Sequence, residues 1–264
     1  MNLILVSPAE IESGAVRLTD SRAVHLATVL KTAPGQQVRI GLLDGPFGTG
    51  TVTALDAAGV SLTCAFEAAA PPRPRVDLLL ALPRPKVLRR LWSQVAALGV
   101  GQVVLTNAAR VERDYFGTHV LAPSTYTPLL VEGLQQARDT RLPIVTVHRR
   151  FKVLIEDDLE GLFPAGVRVA AQPGQEESFS GLLSQPQAPG SMLQAEQRDE
   201  TRVLLAVGPE GGWTDFELAL LERHGFHTVG MGPRTLRSDT ATIALLTLAH
   251  QALREGEPRP VPVG

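Results

Sequence analysis

The rhythm of apolar and polar positions changes near residue 70. Before it, apolar residues come in short runs broken by glycine, proline and aspartate. Leu3 to Val6 is one such run and Val38-Arg39-Ile40 alternates. Gly48 to Thr53 and Val60 to Cys64 read as hairpin strands, with a turn signal at Leu42-Leu43-Asp44-Gly45-Pro46. Val24, Leu26, Val29 and Leu30 predict a short helix over Ser21 to Lys31, ended by Pro34-Gly35. Many short strands with glycine-rich turns predict a small β-barrel over residues 1–70.

Ala68-Ala69-Ala70-Pro71-Pro72-Arg73-Pro74 follows. Proline offers no backbone donor and resists both helix and central strand, so residues 71–75 are read as a linker. Beyond it, Val76 to Leu82 is a near-continuous apolar run, as a strand buried on both faces requires. Val87, Leu91, Val95 and Leu98 recur at helical spacing, widened by Leu88 and Trp92, with Gly99 as the stop signal. Val103-Val104-Leu105, Ile144 to Val147, Val167 to Ala170, Val203 to Val207 and Thr228-Val229 predict further strands, mostly separated by helical stretches. That alternation predicts an α/β domain over residues 76–264, with a parallel sheet between helices. Residues 172–199 are polar and read as loop with room for one helix.

The chain has 264 residues, 44% hydrophobic and 20% charged, which excludes a disordered class. Its 25 basic and 27 acidic side chains leave a formal net charge of −2, so contact with nucleic acid must use a local patch. One cysteine, Cys64, excludes an internal disulfide framework and a multi-thiolate metal site. The six histidines show no metal-ligand spacing, and no metal is expected. Met1 to Pro8 lacks a basic segment and a long apolar core, and no apolar run approaches the roughly 18 residues of a membrane span. A soluble cytoplasmic protein is expected.

Two segments carry chemistry. In the first, the run to Val207 enters Gly208-Pro209-Glu210-Gly211-Gly212 and then a helix start, where Thr214 and Glu217 stand in capping-box register and Trp213 and Leu218 at staple positions. The glycines admit positive φ or close approach of a ligand. The carboxyl end of a strand is where open α/β sheets bind ligands, although a ligand-free turn accounts for the local pattern equally well. The second segment, Val229-Gly230-Met231-Gly232-Pro233-Arg234-Thr235-Leu236-Arg237, again leads from strand through glycines to a helix. Ser238 is the expected N-cap and Asp239 a first-turn acid. Ile243, Leu246 and Ala249, with Leu245 and Leu248, make that helix apolar over a wide arc, as deep burial or a subunit interface requires.

The two segments together resemble the ribosomal RNA methyltransferase family that modifies N3 of a uridine in 16S rRNA, a branch of the knotted SPOUT superfamily. The carrying residues are Gly208-Pro209-Glu210-Gly211-Gly212 and Gly232-Pro233-Arg234-Thr235-Leu236-Arg237-Ser238-Asp239-Thr240-Ala241. Supporting matches are His25-Leu26 with Val29-Leu30-Lys31 and Pro34-Gly35, the Leu42 to Gly45 turn, Ala81-Leu82-Pro83 and Leu98-Gly99-Val100. The resemblance implies a PUA-like, RNA-binding β-barrel followed by a SPOUT domain with a deep trefoil knot. It further implies S-adenosyl-L-methionine as cofactor and a homodimer acting on ribosomal RNA or the small ribosomal subunit. The cofactor residues it implies are Val207, Gly208, Gly211 and Gly212 from the first loop, with Met231, Gly232, Leu236 and Thr240 from the second. The sequence departs from the family at Ser93-Gln94-Val95-Ala96-Ala97, where a Gln-Lys-x-x-Glu stretch is usual. It departs again at Gln135-Gln136-Ala137-Arg138-Asp139, in place of Glu-Gln-Ser-x-Arg.

Uracil N3 carries a proton and is a poor nucleophile until it leaves, so a base or a cation facing the developing anion is needed. Arg237 is the candidate cation and Glu210 the candidate base. For RNA contact the candidates are Arg22, Arg84, Lys86, Arg89, Arg110 and Arg138. For each of them a solvated surface charge is the competing reading. Two further functions stay open: a SPOUT methyltransferase of another rRNA or tRNA nucleotide, and a catalytically silent RNA-binding homologue. A dinucleotide oxidoreductase is disfavoured, because Thr235 stands where the third glycine of its fingerprint belongs.

Overall fold

The computed structural model describes residues 3–177, 179–184 and 201–255. They form two compact units. The first holds the described residues up to Arg73 together with Trp92–Gly99 and Tyr126–Leu142; the second holds Pro74–Leu91, Val100–Thr125 and the described residues from Pro143 onward.

In the first unit, β1 (Ile4–Val6), β2 (Ala15–Leu18), β3 (Gln37–Leu42), β4 (Phe47–Asp56) and β5 (Gly59–Phe66) form a five-stranded mixed sheet in the order β1-β3-β4-β5-β2. Only β1 and β3 run parallel. A register shift between Val52 and Ala54 bends β4, which curls the sheet over its core. That core contains Val6, Val16, Leu18, Ile40, Val52 and Leu62 from the strands, with Leu26 from the helical segment between β2 and β3.

The helix expected over Ser21 to Lys31 exists in altered form. α1 (Ser21–Val24) passes directly into a π-helical turn, His25–Val29. Of its apolar positions, only Ala23 and Leu26 are buried; Val24, Val29 and Leu30 are 60%, 65% and 49% exposed. The wider turn, which follows Val24, rotates Val29 and Leu30 off the face that a 3.6-residue period shares with Leu26.

In the second unit the chain alternates as its apolar runs predict. Its elements are β6 (Val76–Ala81), α2 (Pro85–Ala97), β7 (Val100–Thr106), α3 (Pro123–Ala137), β8 (Ile144–His148), α4 (Phe151–Val153), α5 (Leu159–Leu162), β9 (Val167–Ala171), α6 (Phe179–Ser184), β10 (Val203–Val207), α7 (Asp215–Arg223), β11 (Phe226–Val229) and α8 (Ser238–Glu255). The distal parts of α2 and α3 belong to the first unit. All five pairings of the six-stranded sheet are parallel, in the order β11-β9-β10-β6-β7-β8. β10 therefore lies between β6 and β9, two strands that precede it in the chain. Every residue of β6 and β10 is buried, as central strands covered on both faces must be. Asp77 is the polar exception; it is 2% exposed, and Arg202 reaches both its oxygens at 2.7 Å. Of the polar stretch 172–199, the structure places α6, while residues 185–200 lie outside the described residues.

Candidate active site

The central strand β10 delivers Val207 to the carboxyl edge of the sheet, where the chain leaves as Gly208-Pro209-Glu210-Gly211-Gly212. The Gly212 amide donates to the Pro209 carbonyl at 2.8 Å, and Gly212 then takes φ +76°, a left-handed turn that a side chain would strain. The helix start beyond it is specified as the capping box predicts. Thr214 Oγ1 accepts from the Glu217 amide at 3.3 Å, and the Glu217 carboxylate accepts from the Thr214 amide at 2.8 Å.

Two contacts absent from the sequence reading hold this loop against the segment after β7. Glu217 Oε1 accepts the Ala109 amide at 2.7 Å, and the Arg110 guanidinium donates to the Gly211 carbonyl. Glu217 is 4% exposed, so its two oxygens are engaged inside the protein.

The second glycine loop leaves β11 through Gly230-Met231-Gly232, with Gly232 at φ +93°. At the start of α8 the structure corrects one expectation. Ser238 is the first helical residue and not the N-cap; the carbonyl of Arg237 accepts the Ala241 amide at 2.8 Å. Freed from capping, the Ser238 hydroxyl is 4% exposed and has no hydrogen-bond partner among the described residues.

The two loops enclose a pocket with about 620 Å³ of empty space, part of it continuous with solvent. Val207, Gly208, Glu210, Gly212, Met231, Gly232 and Leu236 line it, as do Trp213 and Ser238. Gly211 and Thr240 do not; Gly211 faces Arg110, and the Thr240 amide donates to Asp239 Oδ1 at 2.9 Å. Trp213 packs on Phe151, ring centroids 5.3 Å apart. Its Nε1 is a second buried donor without a partner among the described residues. An unpaired buried donor costs about 1–3 kcal/mol, and here two of them border one apolar-walled space. Both types were seen in the sequence only as a cap and a staple. Their polar role has no local signal, because it depends on what they fail to contact.

Beside the pocket lies a second cleft, lined by Arg84, Val87, Arg90, Glu210, Thr235, Leu236, Arg237 and Asp239. Glu210, Thr235 and Leu236 border both spaces. Arg84 Nε lies 3.1 Å from Glu210 Oε2, and Arg90 Nη2 lies 2.9 Å from Asp239 Oδ2. Both arginine side chains are more than 60% exposed, so each pair is worth about 0–1 kcal/mol. Arg237, the candidate cation, stands in this cleft with no ion pair among the described residues.

The remaining basic candidates are dispersed. Lys86 and Arg89 are exposed on the first turns of α2. Arg138 is exposed in the first unit, in a left-handed conformation of φ 60° directly after α3. Arg22, also in the first unit, is held by Glu10, by Asp20 at 2.7 Å and by the Leu5 carbonyl at 2.7 Å. Its side chain is only 13% exposed. Among the described residues no cluster of metal-ligating side chains occurs, and no helix is long and apolar enough to cross a membrane.

Comparison with known proteins agrees with this geometry. The pattern of the RNA methyltransferase domain family matches residues 71–250. The chain is 29% identical over 273 residues to the ribosomal RNA small subunit methyltransferase E of Treponema pallidum, spanning 98% of this chain and 96% of that protein. It is 24% identical to the corresponding methyltransferase E 1 of Borreliella burgdorferi, spanning 92% and 95%. Among solved structures, it shares its fold with the methyltransferase E of Neisseria gonorrhoeae bound to S-adenosyl methionine, at a TM-score of 0.70, 18% identity, and 95% and 97% coverage. With the family pattern spanning the parallel sheet and both glycine loops, the chain belongs to the RNA methyltransferase domain family.

Proposed function

We propose that this protein uses S-adenosyl-L-methionine to methylate N3 of a uridine in 16S rRNA. One observation carries the reading: two glycine loops enclose a pocket at the carboxyl edge of a parallel sheet, and two buried donors there lack partners. The pocket fits that cofactor. Val207, Met231, Leu236 and Leu245 offer apolar walls for an adenine, while Trp213 Nε1 and Ser238 Oγ offer directional hydrogen bonds. Gly208, Gly212 and Gly232 let backbone amides and carbonyls come close; Gly211 and Thr240 support the loops from outside the pocket. When bound, the cofactor supplies a methyl group already activated on a sulfonium. The protein's task is then alignment and control of the acceptor's proton.

Glu210, at the border of pocket and cleft, takes the N3 proton of the uracil, and Arg237 faces the negative charge that develops on the ring. Arg84, Lys86, Arg89 and Arg138 contact RNA phosphates, whereas Arg22 and Arg110 act through the backbone they hold. A PUA-like barrel over residues 1–70, a linker over 71–75 and a knotted SPOUT domain over 76–264 complete the reading. The insertion of β10 between β6 and β9 supports the knot. Leu248 on α8 and Phe216 on α7, 38% and 58% exposed, support a homodimer. Ribosomal RNA as substrate supports a cytoplasmic location.

A second reading, methylation of a different RNA nucleotide, is favoured by one observation. The two segments that depart from the family line a single groove: Ser93, Gln94 and Ala97 border it together with Gln135 and Gln136. Titration calorimetry with S-adenosylmethionine tests the cofactor, and absence of binding at millimolar ligand defeats both readings. Mass spectrometry of rRNA from a deletion strain, resolved to nucleotide and ring atom, tests the target. A missing methyl at a site other than uridine N3 selects the second reading.

A further inference from the structure

We propose that the cleft beside the pocket is a phosphodiester subsite in which two carboxylates hold the place of RNA phosphates. Arg84 and Arg90, paired with Glu210 and Asp239 in the free protein, exchange those partners for the backbone phosphates of the strand that presents the target base. The inference rests on the methyltransferase reading above and assigns its substrate contacts.

Three features of the cleft carry it. Arg84 and Arg90 lie six residues apart around the start of α2, with Val87 midway on the same wall, so both guanidiniums face one space. Their partners come from the elements that build the pocket, Glu210 from the first glycine loop and Asp239 from the first turn of α8. With Arg237, three guanidiniums face two carboxylates, an excess of one positive charge before RNA arrives.

The pairs are also built to be exchanged. Both arginines keep more than 60% of their side chains exposed, so water already competes for them. A phosphate carries the same charge as the carboxylate it replaces and accepts hydrogen bonds from a guanidinium, in bidentate form where the carboxylates here make one contact each. Its arrival also releases counterions from the RNA. Glu210 borders both spaces, so the exchange has a consequence in the pocket. Until RNA arrives, Arg84 holds the carboxylate; once a phosphate has taken Arg84, Glu210 faces the base with its oxygens free. Productive binding and release of the proton acceptor thereby become one event.

The test uses full-length protein and a fluorescein-labelled single-stranded 12-nucleotide RNA containing one uridine, with binding followed by anisotropy across a salt series. R84Q and R90Q are each expected to weaken binding about fivefold at 0.1 M salt and to lower the salt slope by about 0.7. E210Q and D239N are expected to tighten it, because the competing carboxylates are gone. D157N, on an exposed acid that does not line the cleft, controls for net charge and is expected to change nothing.

Circular dichroism melts and S-adenosylmethionine calorimetry accompany every variant, so loss of fold or of the pocket is read separately. Unchanged slopes in R84Q and R90Q, or tightening by D157N equal to that of E210Q, overturn the subsite. Failure of the wild-type protein to bind the cofactor defeats the methyltransferase reading instead.

Discussion

Glu217 Oε1 accepts the backbone amide of Ala109 at 2.7 Å, joining the start of α7 to the segment after β7 across 108 positions of sequence. The same carboxylate closes the capping box on Thr214. One buried side chain therefore sets both the helix start and the position of the glycine loop before it.

That double role predicts an unusually large effect for a capping residue. E217A leaves the Ala109 and Thr214 amides without their acceptor and is expected to cost about 2–4 kcal/mol in urea unfolding, with weaker cofactor binding. E217Q keeps one carbonyl oxygen and is expected to cost about 1 kcal/mol. A loss below about 0.5 kcal/mol for E217A means that the loop is held by other contacts.

Ser238 is expected to separate stability from affinity, and Trp213 to test the second donor. S238A removes a buried hydroxyl that has no partner, so the free protein should be as stable as the wild type or slightly more so. Its affinity for S-adenosylmethionine should fall about fivefold to tenfold, one hydrogen bond's worth. W213F removes the indole N–H together with part of a buried ring, so its affinity should fall as well, but with some loss of stability from the cavity it leaves. Calorimetry of both variants reads this directly; unchanged affinity in both removes these donors from the cofactor site.

Gly211 tests the loop from outside. A Cβ there would lie 2.8 Å from Cδ of Arg110. G211V is expected to push Arg110 off the Gly211 carbonyl, distort the turn and abolish cofactor binding, while the core of the first unit stays folded. Heteronuclear NMR of the first unit's methyl groups, beside calorimetry, is the check. Wild-type affinity in G211V would count against the pocket assignment.

The Glu10–Asp20–Arg22 cluster predicts an acid limb. Hydrogen bonds from Arg22 hold both carboxyls below their ordinary values of 4.5 and 3.8. Carboxylates so depressed bind protons more weakly in the folded chain than in the unfolded one. Their stabilisation is complete above those ordinary values and is lost as pH falls through the depressed ones. Asp77 runs the other way: burial pushes it up against the pull of Arg202, so its share falls as pH rises through the window above 3.8. Asp77 is untouched in R22M and cancels in the difference. Melting midpoints of wild type and R22M should therefore differ at neutral pH and converge below about pH 4. A constant gap down to pH 2 means the cluster is not what couples stability to protons.

Much of this molecule was readable from local pattern, because burial imposes a period that the chain must carry itself. The runs at Val76 to Leu82 and Val203 to Val207 are uninterrupted because β6 and β10 are covered on both faces. Thr214 and Glu217 could be paired because a capping box closes within one turn. Both glycine loops were visible because left-handed backbone selects for residue type at single positions, as at Gly212 and Gly232.

Tertiary structure alone decided the rest, and the reason is distance along the chain. Strand order, with β10 between β6 and β9, has no local signature. Val24, Leu26, Val29 and Leu30 predicted a helix, but which of them are buried follows from a π-helical turn at His25–Val29 that carries Val29 and Leu30 outward. The partners of the charged side chains follow the same rule: Arg110 finds Gly211 and Arg22 finds Glu10 only once the fold has placed them. A residue's type states what it is able to bind. Which group it meets, or, for Ser238, that it meets none, is set by neighbours that only folding brings near.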